Sequence, residues 1–207
     1  MTFAAAYADE NPTQIAIRDG RHALRWDEVD EVLNRCVNGL ASMDLGEARR
    51  IAVFAENAVE TALSNLGGLV AGASVVPVNF HLTAEEVAYI LSDSGASVLF
   101  VGPETAARGV EAAAKSDVHT VIGWCDGDGI TRWHDWLANQ QNVEPDHSIP
   151  PRPNLLYTSG TTGRPKGTEL PPTMFAGGAT VAEHLEKFRE RTLARMPQPF
   201  GPQLVVG

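Results

Sequence analysis

The densest group of chemistry-bearing residues runs from Tyr157 to Gly167, in the order Tyr-Thr-Ser-Gly-Thr-Thr-Gly-Arg-Pro-Lys-Gly. Leu155 and Leu156 precede it and read as strand, so the run is a loop that leaves a strand. Gly160, Gly163 and Gly167 admit positive φ and leave room for a ligand to reach the backbone. The amide N–H groups freed there, with the hydroxyls of Thr158, Ser159, Thr161 and Thr162, form a dense set of donors that ends on the cation of Lys166. A polyphosphate offers only acceptors and negative charge, so donors grouped around a lysine suit it. The plain alternative is a flexible Gly/Ser/Thr linker. This run is short, follows a strand and closes on Arg-Pro-Lys-Gly, an order that a linker does not need.

Two familiar motifs fail on the same residues. A Walker loop counted from Gly160 puts Lys166 in the right place, but Pro165 replaces the second glycine and Gly167 replaces the magnesium-binding hydroxyl. A serine nucleophile elbow centred on Ser159 fails at both flanks, where Tyr157 and Thr161 stand in place of glycine.

The elements that must position this loop read as strands alternating with helices. Residues 14–18 and 23–26 form two short strands around the Asp19-Gly20 turn. Val29, Val32, Leu33, Cys36, Val37, Leu40 and Met43 recur at three- and four-residue steps, which predicts one apolar face of a helix. Residues 50–55, 74–78, 97–101 and 118–122 read as strands. The helices between them start at a cap on Asn57, at the Thr83 to Glu86 capping box, and at Pro103. Gly67, Gly68, Ala71 and Gly72 do not make a dinucleotide fingerprint; they predict close helix packing. The alternation predicts an α/β fold, a mainly parallel sheet flanked by helices on both faces. Residues 124–153 read as a connection with one short helix, and residues 174–195 as a helix interrupted near Gly177-Gly178. Residues 203–207 resemble the start of a strand, which predicts a chain that continues past Gly207.

The whole chain sets bounds on function. Its 207 residues carry a formal net charge of −10, which argues against a broad nucleic-acid surface but allows a locally basic phosphate site. Cys36 and Cys125 lack ligand or disulfide spacing and point to a reducing compartment, with Cys36 a core residue. The N-terminus lacks the pattern of a signal peptide, and the apolar stretch 63–78 is broken by Gly67, Gly68, Gly72 and Pro77. A cytoplasmic protein without an integral membrane segment is expected. The six histidines show no i,i+4 pair and no cysteine neighbour, which argues against a metal centre built from them. Asp126-Gly127-Asp128-Gly129 lacks the later ligands of a calcium loop and reads as a turn. Trp133-His134-Asp135-Trp136 reads as a packed turn, and Glu183 to Arg191 as a solvated helix face.

Residues 157–167 resemble, position by position, the phosphate-loop signature of the adenylate-forming enzymes, which include acyl-CoA synthetases and peptide-synthetase adenylation domains. The likeness extends to Asn57-Ala58-Val59-Glu60, to residues 72–79, and to residues 82–96. It implies that residues 1–207 are the N-terminal portion of an AMP-binding domain, part of the large N-terminal domain, with its phosphate loop at 157–167 and no C-terminal domain. The chemistry implied is that of a fatty-acyl-CoA ligase: ATP with Mg2+ activates a carboxylic acid as acyl-adenylate, and CoA receives the acyl group. Lys166 takes the catalytic role of opposing charge on the leaving pyrophosphate. Thr158, Ser159, Gly160, Thr161, Thr162, Gly163, Lys166 and Gly167 bind the phosphates. No metal ligand is assigned within this segment, and ligands for Mg2+ and CoA are expected outside it, so the segment alone is expected to be inactive. Leu170-Pro171-Pro172-Thr173 stands where the family carries an aliphatic stretch ending in Thr-His. Three alternatives stay open: a non-catalytic ATP- or polyphosphate-binding or partner-binding module of the same fold, adenylation of an aryl or amino acid, and loading of a carrier protein. A sheet left short of neighbours predicts association through exposed apolar surface.

Overall fold

The computed structural model describes residues 3–158, 164–170 and 177–195. Helix α1 (Phe3–Glu10) leads into an antiparallel pair, β1 (Ile15–Arg18) and β2 (Ala23–Arg25), joined by the expected turn. Helix α2 (Trp26–Ser42) then packs along the domain with Val29, Leu33, Cys36, Val37 and Leu40 buried, the stripe that the periodicity predicted.

The centre is a sheet of five parallel strands, β3 (Arg50–Phe54), β4 (Ser74–Val78), β5 (Val98–Val101), β6 (Thr120–Gly123) and β7 (Thr131–Arg132). Their spatial order is β4-β3-β5-β6-β7. Helices α3 (Val59–Val70), α4 (Ala84–Ser94), α5 (Ala106–Ala113) and α6 (Trp133–Ala138) lie on the two faces. Side chains alternate along each strand, so the sheet feeds two cores. Ile51, Val53, Val75, Val98, Phe100 and Ile122 pack with α2, α3 and α6. Ala52, Phe54, Val76, Val78, Leu99, Val101 and Val121 pack with α4 and α5. The α/β architecture with helices on both faces is the one that the alternation predicts.

The glycines of α3 serve close packing, as expected. A Cβ on Gly67 would stand 2.4 Å from Cys36 Sγ, and one on Gly68 would stand 2.4 Å from Ile51 Cδ1. The start of α3 differs from the sequence reading. Ala58, not Asn57, takes the cap position and supplies no side-chain bond. Asp19 Oδ2 instead accepts the Val59 N–H at 2.9 Å, a cap delivered from the β1–β2 turn. Pro103 likewise does not open α5, which begins three residues on; Thr105 Oγ1 braces the intervening turn by donating to the Phe54 carbonyl at 2.6 Å. Trp133 opens α6, and it and Trp136 one turn later pack edge-on against Phe100, with ring centroids at 5.8 and 6.0 Å.

Beyond the connecting segment, strands β8 (Leu155–Thr158) and β9 (Lys166–Glu169) pair antiparallel beside β4. Helix α7 (Val181–Arg195) follows, with Val181 and His184 buried and Glu183, Glu186, Lys187, Arg189 and Glu190 exposed, a solvated face as read. Residues 174–176, the first part of the longer predicted helix, and residues 203–207, the predicted strand, lie outside the described residues. Among the described residues, no helix is long and apolar enough to cross a membrane. The large apolar side chains exposed among them, Ile15, Leu66, Val143 and Phe188, sit on four separate segments.

Candidate functional site: a loop on a two-stranded stem

Of the residues singled out by their chemistry, Thr158, Lys166 and Gly167 lie on the β8–β9 hairpin. Cross-strand register pairs Leu155 with Glu169, Leu156 with Thr168, Tyr157 with Gly167, and Thr158 with Lys166. Opposed residues of an antiparallel pair share a face, and successive pairs alternate. Leu155, Tyr157, Gly167 and Glu169 therefore face one way, and Leu156, Thr158, Lys166 and Thr168 the other.

The first face is built for packing. Leu155 is buried in the core under α4 and α5, with Tyr157 packed at its edge. Tyr157 Oη donates to Asp93 Oδ2 at 2.6 Å. Burial pushes the Tyr157 phenol up, and the hydrogen bond to Asp93 adds to the shift, so the hydroxyl stays a neutral donor. Glu169 Oε1 accepts from Arg50 Nη2 at 2.6 Å, and Arg50 Nη1 reaches the Ser94 carbonyl at 2.8 Å. A Cβ on Gly167 would lie 3.1 Å from Leu155 Cδ1 and 3.2 Å from Tyr157 Cζ. Gly167 thus has a packing reason of its own, since the Tyr157 ring lies across it.

The second face presents an exposed hydroxyl and an exposed cation. Thr158 and Lys166 stand side by side at the open end of the stem, and both are exposed. Ser159, Gly160, Thr161, Thr162 and Gly163, the loop that these two residues bracket, lie outside the described residues. No carboxylate among the described residues pairs with the Lys166 ammonium. A hydroxyl and a cation without a carboxylate fit phosphate oxygens and do not fit a magnesium ion, which takes carboxylate oxygens. Arg164 turns away from this pair, its guanidinium 5.1 Å above the centre of the Tyr89 ring. The Tyr89 hydroxyl donates to the Pro165 carbonyl at 3.2 Å.

Sequence reasoning missed Tyr89, Asp93, Arg50 and Glu169. Tyr89 and Asp93 are four apart on one helix face, a visible spacing, but nothing local says that the face meets residues far along the chain. It also missed the approach of Asp19, His22 and Glu60, whose ligand-type atoms lie within 4.8 Å of one another. Those groups are already engaged. Asp19 accepts the Arg21, His22 and Val59 amides, and His22 Nδ1 lies 3.0 Å from Glu60 Oε1. Together they tie the β1–β2 turn to the start of α3.

A parallel α/β domain with a glycine-rich loop on a strand-borne stem defines the class. The AMP-binding enzyme family matches residues 4–200, and the chain belongs to that family. Over 180 residues it is 30% identical to long-chain-fatty-acid–CoA ligase FadD13 of Mycobacterium tuberculosis (strain ATCC 25618 / H37Rv), a match that covers 84% of this chain and 35% of the ligase. Surfactin synthase subunit 2 of Bacillus subtilis (strain 168) is 30% identical over 175 residues, 82% of this chain and 4% of the synthase. The inhibitor-bound crystal structure of the N-terminal domain of FACL13 from Mycobacterium tuberculosis superposes with a TM-score of 0.67 at 28% identity, over 81% of this chain and 42% of that one. The chain thus spans about a third of the length of the curated ligase that it matches.

Proposed function

We propose that this chain carries the phosphate loop of an ATP-dependent acid–thiol ligase, which activates a carboxylic acid, foremost a fatty acid, and passes it to CoA. One observation carries the reading: Thr158 and Lys166 form an exposed cross-strand pair at the mouth of the loop, and no described carboxylate pairs with the lysine. Identity to the fatty-acid–CoA ligase FadD13 supports the substrate class. In this reading residues 1–207 are the N-terminal portion of the AMP-binding domain. Thr158, Ser159, Thr161 and Thr162 donate to the β- and γ-phosphates, while Gly160 and Gly163 let the backbone approach them. Lys166 opposes the charge that builds on pyrophosphate as it leaves, a contribution of about 100-fold or more in rate for a donor aimed at developing charge. Magnesium, when bound, neutralises phosphate charge, and its ligands come from outside this segment, as do those for CoA. One phosphate clamp does not align a carboxylate with the α-phosphate, so these 207 residues alone do not complete adenylation.

Equal identity to a surfactin synthase subunit supports a second reading, in which the same adenylation serves a different acid or a carrier-protein acceptor. ATP–pyrophosphate exchange with a panel of fatty, aryl and amino acids separates the two. The expected result is no exchange from the 207-residue chain, and exchange stimulated most by fatty acids from a longer protein containing it. Stimulation by amino or aryl acids alone favours the second reading. Acid-dependent exchange from the chain itself would show that the proposed division of the enzyme is wrong.

A further inference from the structure

The stem of the loop is held by groups that the proposed chemistry does not use. Helix α4 presents Tyr89 and Asp93, one turn apart, to the two strands of the hairpin. Asp93 takes the Tyr157 hydroxyl at 2.6 Å, immediately before Thr158. Tyr89 donates to the Pro165 carbonyl at 3.2 Å, immediately before Lys166, and its ring carries the Arg164 guanidinium. Each strand is therefore gripped one residue from the side chain that the proposed function places on phosphate. The helix is itself well anchored. Thr83 and Glu86 exchange capping bonds at its start, and Gly95 closes its end at φ +65°. Arg50 links the carbonyl of Ser94, the last residue of the helix, to Glu169 on β9.

We infer that Tyr89 and Asp93 are positioning residues for the phosphate loop, holding Thr158 and Lys166 in register through Pro165 and Tyr157. The inference rests on the phosphate-binding reading of the loop. Three features argue against mere surface packing. Asp93 is exposed, so water is an available alternative partner for it, yet it is committed to Tyr157. Tyr157 lies across Gly167, so a shift of its ring moves the strand that carries Lys166. Arg164 is drawn onto Tyr89 and away from the Thr158–Lys166 face, which leaves Lys166 as the cation at the mouth among the described residues. Neither Tyr89 nor Asp93 touches phosphate in this account. They fix the geometry of the groups that do, and misplacement by about 1 Å of a group that must meet charge is costly.

The test is calorimetric titration of the full 207-residue chain with inorganic pyrophosphate, with Lys166→Ala as the reference variant. A hydrogen bond to a charged acceptor governs about a tenfold change. Tyr157→Phe and Asp93→Ala are each expected to weaken binding about tenfold, and the double variant to weaken it no further, because both remove one bond. Asp93→Asn keeps an acceptor oxygen and is expected to recover most of the affinity. Tyr89→Phe, which loses the Pro165 bond but keeps the ring beneath Arg164, provides a second route should Tyr157→Phe unfold. Melting temperatures within a few degrees of the parent separate positioning from loss of fold. If Lys166→Ala weakens binding but the Tyr157, Asp93 and Tyr89 variants bind like the parent, the positioning role is refuted and the loop reading stands. Additive losses for Tyr157→Phe and Asp93→Ala refute it equally. If the parent chain binds no pyrophosphate, or Lys166→Ala binds as well as the parent, the loop reading fails and this inference goes with it.

Discussion

Replacing Gly67 with alanine puts a methyl group where the structure already has a sulfur. The new Cβ would stand 2.4 Å from Cys36 Sγ and 3.2 Å from Cys36 Cβ, and Cys36 is fully buried between α2 and α3. Neither backbone can yield cheaply, because Gly68 next door is packed as tightly against Ile51 and Val75. Overpacking of this kind costs about 1–3 kcal/mol, and the gain in helix propensity from Gly to Ala returns about 1 kcal/mol. The net expectation for Gly67→Ala is a loss of up to roughly 2 kcal/mol, or a fall in melting temperature of up to about 8 °C at this chain length. Cys36→Ala alone removes one buried sulfur and costs roughly 1 kcal/mol through the space it leaves. The double variant is different. The methyl on residue 67 fills the volume that the sulfur vacated, so the pair is expected to melt within about 2 °C of the parent. Independent effects predict instead a loss of roughly 1–3 kcal/mol for the double variant. Thermal melts followed by far-UV circular dichroism decide between the two outcomes. Additivity would refute the claim that α3 and α2 touch through this glycine and this cysteine.

Other consequences follow from the caps and the buried ionisable groups. Thr83→Ala removes the capping box of α4 and is expected to cost about 1 kcal/mol, read as a melting-temperature fall of roughly 2–4 °C. Asp19→Ala removes the cap that α3 borrows from the β1–β2 turn, with a similar cost of about 1 kcal/mol. Burial works against the Asp19 carboxylate, but the amides of His22, Val59 and Arg21 outweigh it and hold its pKa below the ordinary 3.8. Its contribution is thus intact above pH 3.8 and lost as pH falls further, and Asp19→Ala should flatten that acid limb of a melting-temperature series. Burial pushes the Cys36 thiol up from an ordinary 9.0, so the unfolded chain ionises first. Stability from this group is complete below pH 9.0 and declines above it, and Cys36→Ala should lessen the decline in alkaline melts.

Much of this architecture was legible because single residues carried unambiguous signals. Thr83 and Glu86 at capping-box spacing gave the start of α4, Asp19-Gly20 gave the hairpin turn, and the stripe through Cys36 gave the buried face of α2. The small residues of α3 read correctly as packing because no fingerprint spacing competed with them. The cap on α3 was not legible, since Asp19 supplies it from forty residues away while Asn57 offered a local decoy. Pro103 misled for a related reason: it fits a first turn, but the Thr105 hydroxyl holds that stretch as a turn and the helix begins later. In the candidate site, Thr158 and Lys166 stood out as loop donors in the sequence, but their pairing across two strands follows from a register that only the fold fixes. Tyr89 and Asp93 were invisible because their partners are 76 and 64 residues distant.

The central claim is that Lys166 and its loop hold the β- and γ-phosphates of ATP. Phosphorus NMR of MgATP titrated with the parent chain and with Lys166→Ala tests it most directly. The account predicts that the β and γ resonances shift on binding, that the α resonance moves least, and that Lys166→Ala weakens the response at least tenfold, as loss of a charge-assisted contact worth about 1.5–3 kcal/mol requires. A response that is equal in the Lys166→Ala chain, or confined to the α resonance, would contradict it.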